Sequence, residues 1–196
     1  MFRRVLLASA LLLSAIPAAQ AQLGGILSAP ATLIERAVEA RSTSDIVEDN
    51  RIDAAVNAAM AKVGTIKAST EIYEQRLLIT GIFSDKASYD SFQAKVKEVK
   101  GIKKLYWHVI LMSEDEQKKA KLLSWDQVLE MNTKAKARLV GTAGVADVNF
   151  RITTDPTGTV YLLGRARSAE EGKKALARAQ DGNGVKKVVN YVEVRP

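Results

Sequence analysis

The sequence contains no cysteine and a single histidine, His108. Without cysteine there can be no disulfide, no thiol chemistry and no lipid attached through a cysteine. One histidine cannot assemble an ordinary zinc centre, and no Gly-x-Ser-x-Gly nucleophile motif is present. We therefore predict a protein that is not an enzyme, with no catalytic residues, no metal and no cofactor. We interpret His108 as an outer-sheet residue that lies at a domain contact or in water.

Long hydrophobic runs are missing after the first 21 residues. Those residues place two arginines before an apolar run over 5–16 and end on Ala19-Gln20-Ala21, a pattern typical of a cleavable signal peptide. We predict cleavage after Ala21 and export to a bacterial periplasm. Because no later stretch approaches about 18 uninterrupted apolar residues, the mature chain is expected to reach a membrane only through its surface.

Acidic residues are fewer than basic ones, 22 against 29. Removal of Arg3 and Arg4 with the signal lowers the formal charge from +7 to +5, and residues 22–49 are net acidic, so the positive charge belongs to the rest of the chain. A basic exported protein meets anionic phospholipid, lipopolysaccharide or cell-wall polymer more readily than nucleic acid. We predict no nucleic-acid partner.

An internal repeat is the main feature that the chain does contain. Residues 158–194 align with residues 75–111 without a gap, at a shift of 83 positions (164 minus 81). The shift places Gly164 on Gly81, Gly184 on Gly101, and the pair Lys186-Lys187 on Lys103-Lys104. Because the apolar alternation also stays in phase, the sequence carries two copies of one supersecondary unit.

Each copy has the pattern of helix, strand, strand, helix and strand. We predict an α+β protein of two tandem α-β-β-α-β domains, each a three-stranded mixed sheet with two helices on one face. The predicted divisions are a signal peptide at 1–21, a leader with a short amphipathic helix at 22–44, domain 1 at 45–112, a linker at 113–123 and domain 2 at 124–196.

The paired glycines and lysines have structural interpretations. Gly81 and Gly164 are expected to end or bend the second strand of each copy, where a side chain would obstruct the helix above. Gly101 and Gly184 suit the left-handed conformation that stops a helix. The lysine pairs that follow them stabilise a helix C-terminus by about 0.3 to 1 kcal/mol. The functional alternative is that Lys103, Lys104, Lys186 and Lys187 form basic corners where headgroup phosphates gather.

Both copies share strand endings, Leu77 to Gly81 and Val160 to Gly164, and a later Gly-[Ile/Val]-Lys-Lys-[Leu/Val] run. Two units of this order resemble the BON domain, named for bacterial OsmY and nodulation proteins, over about residues 45–195, the second copy more closely. The resemblance implies non-enzymatic periplasmic proteins that associate with membranes, bind phospholipid and support envelope integrity under osmotic or detergent stress. Related double-domain outer-membrane lipoproteins carry a lipidated cysteine, which this sequence lacks.

The stretch from Lys121 to Leu139 supplies the candidate contact surface. If the core side is set by four apolar residues of this helix, a helical wheel places a second, partly apolar flank beside it. The core residues are Val128, Met131, Ala135 and Leu139, the flank holds Leu122, Trp125, Leu129 and Lys136, and Lys134 and Arg138 lie farther round. Such a flank suits the headgroup boundary of a membrane. At residue level Trp125 could instead fill a contact between the two domains; the resemblance favours lipid.

Two other functions stay open at this point. An adapter would recruit another envelope protein, or a second copy of this chain, through exposed sheet faces that carry Tyr106, His108, Ile110, Val189 and Tyr191. A weaker alternative is a binder of cell-wall polymer. The prediction that we carry forward is reversible attachment to anionic phospholipid membranes, chiefly through the first helix of domain 2.

Overall fold

The computed structural model describes residues 39–64 and 67–196. The predicted signal peptide, its cleavage after Ala21, the leader helix and the first residue of the first predicted strand, Ile66, lie outside these residues. The elements in chain order are α1 (Thr43–Lys62), β1 (Ala68–Tyr73), β2 (Arg76–Phe83), α2 (Lys86–Glu98), β3 (Lys104–Leu111), α3 (Glu114–Lys119), α4 (Trp125–Val140), a 3-10 turn (Asp147–Asn149), β4 (Phe150–Thr154), β5 (Thr159–Ala166), α5 (Ala169–Gln180) and β6 (Lys187–Val194).

The strands form two three-stranded sheets with the orders β1-β2-β3 and β4-β5-β6. In each sheet the first two strands are antiparallel and the second and third are parallel, joined by a helical crossover. This confirms the predicted α+β class and the mixed sheets. We call α1 to β3 the first unit and α4 to β6 the second unit.

Side-chain caps fix where the helices begin. Ser42 and Asp45 form a reciprocal capping box at α1, and Ser124 and Gln127 form another at α4. At α5, Ser168 accepts from the backbone of Glu171. The carboxylate of Glu171 does not complete a capping box at this helix, because it accepts from the backbone of Ala146 and Arg167 instead.

Each unit has its own hydrophobic core between its sheet and its helices. A third cluster lies between the two sheets, on the faces turned away from the helices, and is built from Tyr73, Leu78, Tyr161 and Leu163. Strand β2 is therefore buried along its whole length, because its own helices cover one face and the second unit covers the other. The sheets pack face to face, and the molecule has two cores joined by an apolar interface.

The glycines of the second strands differ from their prediction. Strands β2 and β5 continue through Gly81 and Gly164 and do not end there. A Cβ on Gly81 would lie 2.5 Å from the carbonyl oxygen of Lys67, so the obstruction is the adjoining backbone and not a helix. Gly101 and Gly184 have the expected positive φ, 87° and 85°. Because α2 is capped by Val99, Gly101 lies in the turn beyond the helix end.

Candidate functional site

Arg76 fastens the two units together from inside their interface. Its side chain is 7% exposed, and its guanidinium donates to the carbonyl oxygens of Gly164 at 2.8 Å and Tyr191 at 3.0 Å. It also forms an ion pair with Glu193 at 3.3 Å. A buried arginine whose two terminal nitrogens donate to backbone carbonyls of the other sheet fixes the relative position of the units. Surfaces that both units share are consequently well defined.

The chain just before α1 contacts both units as well. The backbone N–H of Ala40 donates to Oδ1 of Asn149 at 2.7 Å, and the hydroxyl of Tyr73 donates to the same oxygen at 3.0 Å. Arg165 donates to the carbonyl of Ala40 at 3.3 Å. Residues 39–41 thus lie against the end of the interface where the β1–β2 turn meets the second unit.

His108 lies at the unit interface, which confirms one of the two positions predicted for it. Its Nε2 is 2.8 Å from the hydroxyl of Tyr191, and its ring packs on Tyr161 with centroids 4.4 Å apart. Tyr106 stacks on Tyr191 at 3.8 Å. Burial holds the pKa of His108 below its usual value. The histidine is a packed interface residue.

The prediction that these sheet faces are exposed was wrong. Tyr106, Val189 and Tyr191 pack against the interface cluster, and His108 contacts the second unit. The reason is physical: alternating apolar and aromatic residues on the outer face of each sheet are covered when the two faces meet. An adapter that recruits partners through these faces would first have to separate the units.

The candidate flank of α4 lies at the surface, at the end of the molecule away from the β1–β2 turn. Trp125 and Leu122 are half-buried, Leu129 is 46% exposed, and Lys136 is exposed. The residues predicted to face the core do so: Val128, Ala135 and Leu139 are buried, and Met131 is half-buried. A tryptophan and a leucine one turn apart, with only partial cover, are available for contact with an apolar phase.

Trp125 and Leu122 line a cleft of about 230 Å³. Part of its lining does not belong to the second unit: Lys67 and Ile82 come from the first unit, and Lys118 comes from α3. The helical wheel could not find Lys67 or Ile82, because their proximity depends on how the units dock. Lys118 could have been found from the sequence, because it belongs to a lysine-rich run that ends just before Trp125.

Lys134 and Arg138 lie on another flank of α4. Lys134 forms an ion pair with Glu130 at 2.5 Å, and Nε of Arg138 donates to the carbonyl of Arg178 at 3.0 Å. Both line a separate groove of about 470 Å³ next to the loop that contains Gly184. The structure therefore divides the six candidate lipid-binding residues between two surfaces, and Lys136 is the one cation of that set on the tryptophan flank.

Lys136 also faces the first unit. It interacts electrostatically with Glu71 of β1, as does Arg151 of β4. Burial raises the pKa of Glu71 to about 7, and the two cations offset only part of that effect. The carboxyl group of Glu71 therefore titrates near neutral pH at the boundary between the units.

The two lysine pairs are exposed at the starts of β3 and β6. Their backbones make equivalent hydrogen bonds, from Lys103 to the carbonyl of Gln75 and from Lys186 to the carbonyl of Gly158, both at 2.9 Å. The ammonium of Lys104 lies 5.0 Å from the ring centre of Tyr106. These contacts give the pairs a structural role in each copy, and a phosphate-gathering role stays a prediction.

Within residues 39–64 and 67–196, no group of three or more histidine, cysteine, aspartate or glutamate side chains could hold a metal ion. Over the same residues no helix has the length and apolar content that a bilayer crossing requires.

Comparison with known proteins gives the following similarities. The sequence model of the BON domain matches residues 129–196, and the first unit lies outside the matched range. An uncharacterized protein in the gshII 5′ region of Anaplasma centrale is 30% identical over 156 residues, which are 76% of this chain and 96% of that protein. Outer membrane lipoprotein DolP of Haemophilus influenzae is 23% identical over 184 residues, 92% of each protein. Among solved structures, CdsD, a structural protein of the type III secretion system of Chlamydia trachomatis, aligns over 74% of this chain and 93% of that one, at 13% identity and a TM-score of 0.33.

Proposed function

Because this chain belongs to the BON domain family, we propose that it is a non-enzymatic protein of the bacterial periplasm that attaches reversibly to anionic phospholipid membranes and helps to maintain the envelope. The similarity to DolP, an outer membrane lipoprotein by name, supports the envelope assignment. The first unit, which repeats the element order of the second, is included in this proposal as a second BON domain.

The observation that carries the proposal is the flank of α4. Trp125 is only half-buried and Leu129 is 46% exposed, and the two lie one helical turn apart at the surface of α4, where the match to the BON domain begins at residue 129. An indole and an aliphatic side chain beside ammonium groups favour the boundary between headgroups and acyl chains. Trp125 also lines a cleft with Lys67 and Ile82 of the first unit. The alternative role predicted for it, a contact between the two domains, is therefore compatible with a role at the membrane.

Attachment of this kind has a modest energy and a strong salt dependence. Each lysine or arginine near an anionic surface contributes about 1 kcal/mol, so several together hold a protein without a covalent anchor. The attraction falls off within a Debye length, about 10 Å at 0.1 M salt. Binding is therefore expected to weaken steeply as salt rises.

Vesicle flotation tests the proposal. We expect wild-type protein to float with phosphatidylglycerol vesicles and to stay behind with phosphatidylcholine vesicles. Trp125→Ala should lose most of the binding. Lys97→Gln/Lys100→Gln, two exposed lysines of the first unit at and beyond the end of α2, should bind as wild type does. Equal recovery on both lipids, or full binding by Trp125→Ala, would refute the proposal.

The adapter function is not carried forward. It depended on sheet faces that are partly covered where the two units meet.

A further inference from the structure

We infer that the membrane-contact surface is composite: α3 and the first unit supply most of its positive charge, and α4 supplies its apolar part. This inference rests on the proposed function and assigns a role to the chain between the units, which the sequence identified only as a linker. The occupant is the surface of an anionic phospholipid bilayer.

First, the cleft of Trp125 is lined by residues of both units and of α3. The cleft is lined by the segment from Leu122 to Trp125, by Pro156 of the β4–β5 turn, and by residues outside the second unit: Lys67 and Ile82 of the first unit and Gln117 and Lys118 of α3. Both lysines therefore line the same cleft as the apolar residues. Trp125 is therefore flanked by cations that are not on its own helix.

The second step is that backbone hydrogen bonds hold the walls in place. The N–H of Leu123 donates to the carbonyl of Pro156 at 2.8 Å, and the N–H of Ile82 donates to the carbonyl of Lys67 at 2.9 Å. At the start of the linker, Met112 donates to the carbonyl of Phe83 at 2.9 Å. The linker is thus bonded to the first unit at one end and to the second unit at the other.

The third step is the distribution of charge along α3. Its first turn holds Glu114, Asp115 and Glu116, whereas its end and the residues that follow hold Lys118, Lys119 and Lys121, all exposed. The lysines come directly before Leu122-Leu123-Ser124-Trp125 in the chain. Charges of one sign therefore collect at the end of α3 that meets the tryptophan.

The fourth step is how little of this charge is neutralised. The contact of Lys118 with Asp115 is 3.5 Å long and its two side chains are 74% and 85% exposed, so it adds little. The pair of Lys134 with Glu130, at 2.5 Å, is also exposed and equally weak, but Lys134 and Arg138 line the second groove and not the cleft of Trp125. The lysines of the linker are consequently better placed than Lys134 and Arg138 to meet lipid phosphates beside Trp125.

The test compares full-length variants on mixed vesicles of phosphatidylglycerol and phosphatidylcholine. Lys118→Gln/Lys121→Gln removes two cations next to the tryptophan, and Lys134→Gln/Arg138→Gln removes two from the other flank. At about 1 kcal/mol for each cation, the linker pair should weaken binding roughly tenfold or more and should reduce its salt dependence. The pair on the other flank should change binding by less than about threefold, as should Lys97→Gln/Lys100→Gln.

Lys67→Gln isolates the contribution of the first unit. We expect a loss of roughly threefold to fivefold, in line with one cation at the surface. Thermal unfolding checks that each variant is folded at the temperature of the assay. Lys134→Gln/Arg138→Gln is expected to unfold slightly below the wild type, because it removes the hydrogen bond from Arg138 to the carbonyl of Arg178.

The outcomes separate this inference from the proposed function. If Trp125→Ala abolishes binding but the linker pair and Lys67→Gln bind as wild type does, the composite surface is refuted and the proposed function stands. The same conclusion follows if Lys134→Gln/Arg138→Gln has the larger effect. If Trp125→Ala and the linker pair both bind at wild-type strength, both are refuted.

Discussion

The two units share a fold but fill their cores differently. At equivalent positions, 83 residues apart, the first unit has aromatic residues where the second has small or polar ones. The pairs are Phe83 and Ala166, Tyr89 and Gly172, Phe92 and Ala175, and Trp107 and Asn190. In the first unit these rings pack on one another, with Phe83 stacked on Phe92 at 5.6 Å and Tyr89 edge-on to Trp107 at 5.8 Å.

This difference shows where each unit uses its tryptophan. Trp107 packs against the core of the first unit and donates from Nε1 to the hydroxyl of Tyr89 at 2.9 Å. Trp125, in the second unit, lines a surface cleft. The tryptophan of the first unit packs in its core, whereas the tryptophan of the second unit lies at the surface, outside its core.

The two units also differ in the side chains that line the groove beside their first helix. In the first unit, Arg51 donates to the carbonyl of Lys100 at 2.6 Å and forms an ion pair with Glu48 at 2.7 Å, so the two side chains cover the turn at Gly101. In the second unit Lys134, at the position equivalent to Arg51, pairs with Glu130 on the same helix and lines a groove of about 470 Å³ that includes Gly184. The groove beside the first helix of the first unit is smaller, about 370 Å³.

The largest expected effect is the loss of stability on substitution of Phe92, which tests the difference in core filling. This side chain is fully buried among the aromatic residues of the first unit, so Phe92→Ala should lower the free energy of unfolding by about 3 to 5 kcal/mol. The equivalent change in the second unit, Ala175→Gly, should cost only about 1 kcal/mol. Denaturant unfolding measures both, and similar losses would contradict the difference in core filling.

Gly164→Ala tests a feature that the units share. Gly164 has a φ of 150°, and an added Cβ would collide with the carbonyl oxygen of Asn149. We expect a loss of about 3 kcal/mol in the free energy of unfolding. Gly172→Ala is the matched control inside α5, where the nearest atom would be 3.4 Å away, and it should be neutral or stabilising. A neutral Gly164→Ala would show that the strands do not approach as closely as described.

Arg76→Ala tests the junction between the units. The change leaves two buried carbonyl oxygens without their donor and should lower the free energy of unfolding by about 2 kcal/mol. Arg51→Ala, which removes an exposed ion pair within the first unit, should cost less than about 1 kcal/mol. If both cost the same in denaturant unfolding, Arg76 does not fasten the interface.

The interface is also expected to depend on pH. Because burial raises the pKa of Glu71 from 4.5 to about 7, the folded state favours the protonated carboxyl group. The stability that Glu71 contributes is fully present below its unfolded pKa and is lost as pH rises through 7. Glu71→Gln should therefore remove a fall in melting temperature between pH of about 5 and about 8, which differential scanning calorimetry would detect.

His108 provides an internal control with the opposite sign. Its pKa is lowered by burial, so its contribution to stability is present above its usual pKa of 6.5 and is lost as pH falls. Glu71→Gln should leave this acid-side loss unchanged. The charged groups around Glu71 are Lys136 and Arg151, which favour its ionised form, and Asp53, which opposes it. A wild-type melting temperature that is flat toward alkaline pH would mean that the two cations hold Glu71 ionised.

The repeat, the element order and the core side of α4 could be predicted from the sequence, because periodicity and capping residues act over a few positions. The docking of the units could not. Tyr106 and Tyr191 belong to strands far apart in the chain, and their alternation fits an exposed face as well as a covered one. For the same reason the helical wheel of α4 identified Trp125 but could not identify Lys67, because the two residues share a cleft only when the units dock.

The most direct test of the central claim is the fluorescence of Trp125 on a membrane. The variant Trp107→Phe leaves Trp125 as the single tryptophan, and vesicles of phosphatidylglycerol with brominated acyl chains quench an indole that enters the boundary region. We expect strong quenching in this variant, and little in the reciprocal variant Trp125→Phe, in which Trp107 stays in the first unit. If the Trp107→Phe variant floats with the vesicles but its Trp125 fluorescence is equally intense with brominated and ordinary lipid, the α4 flank is not the contact surface and the account is wrong.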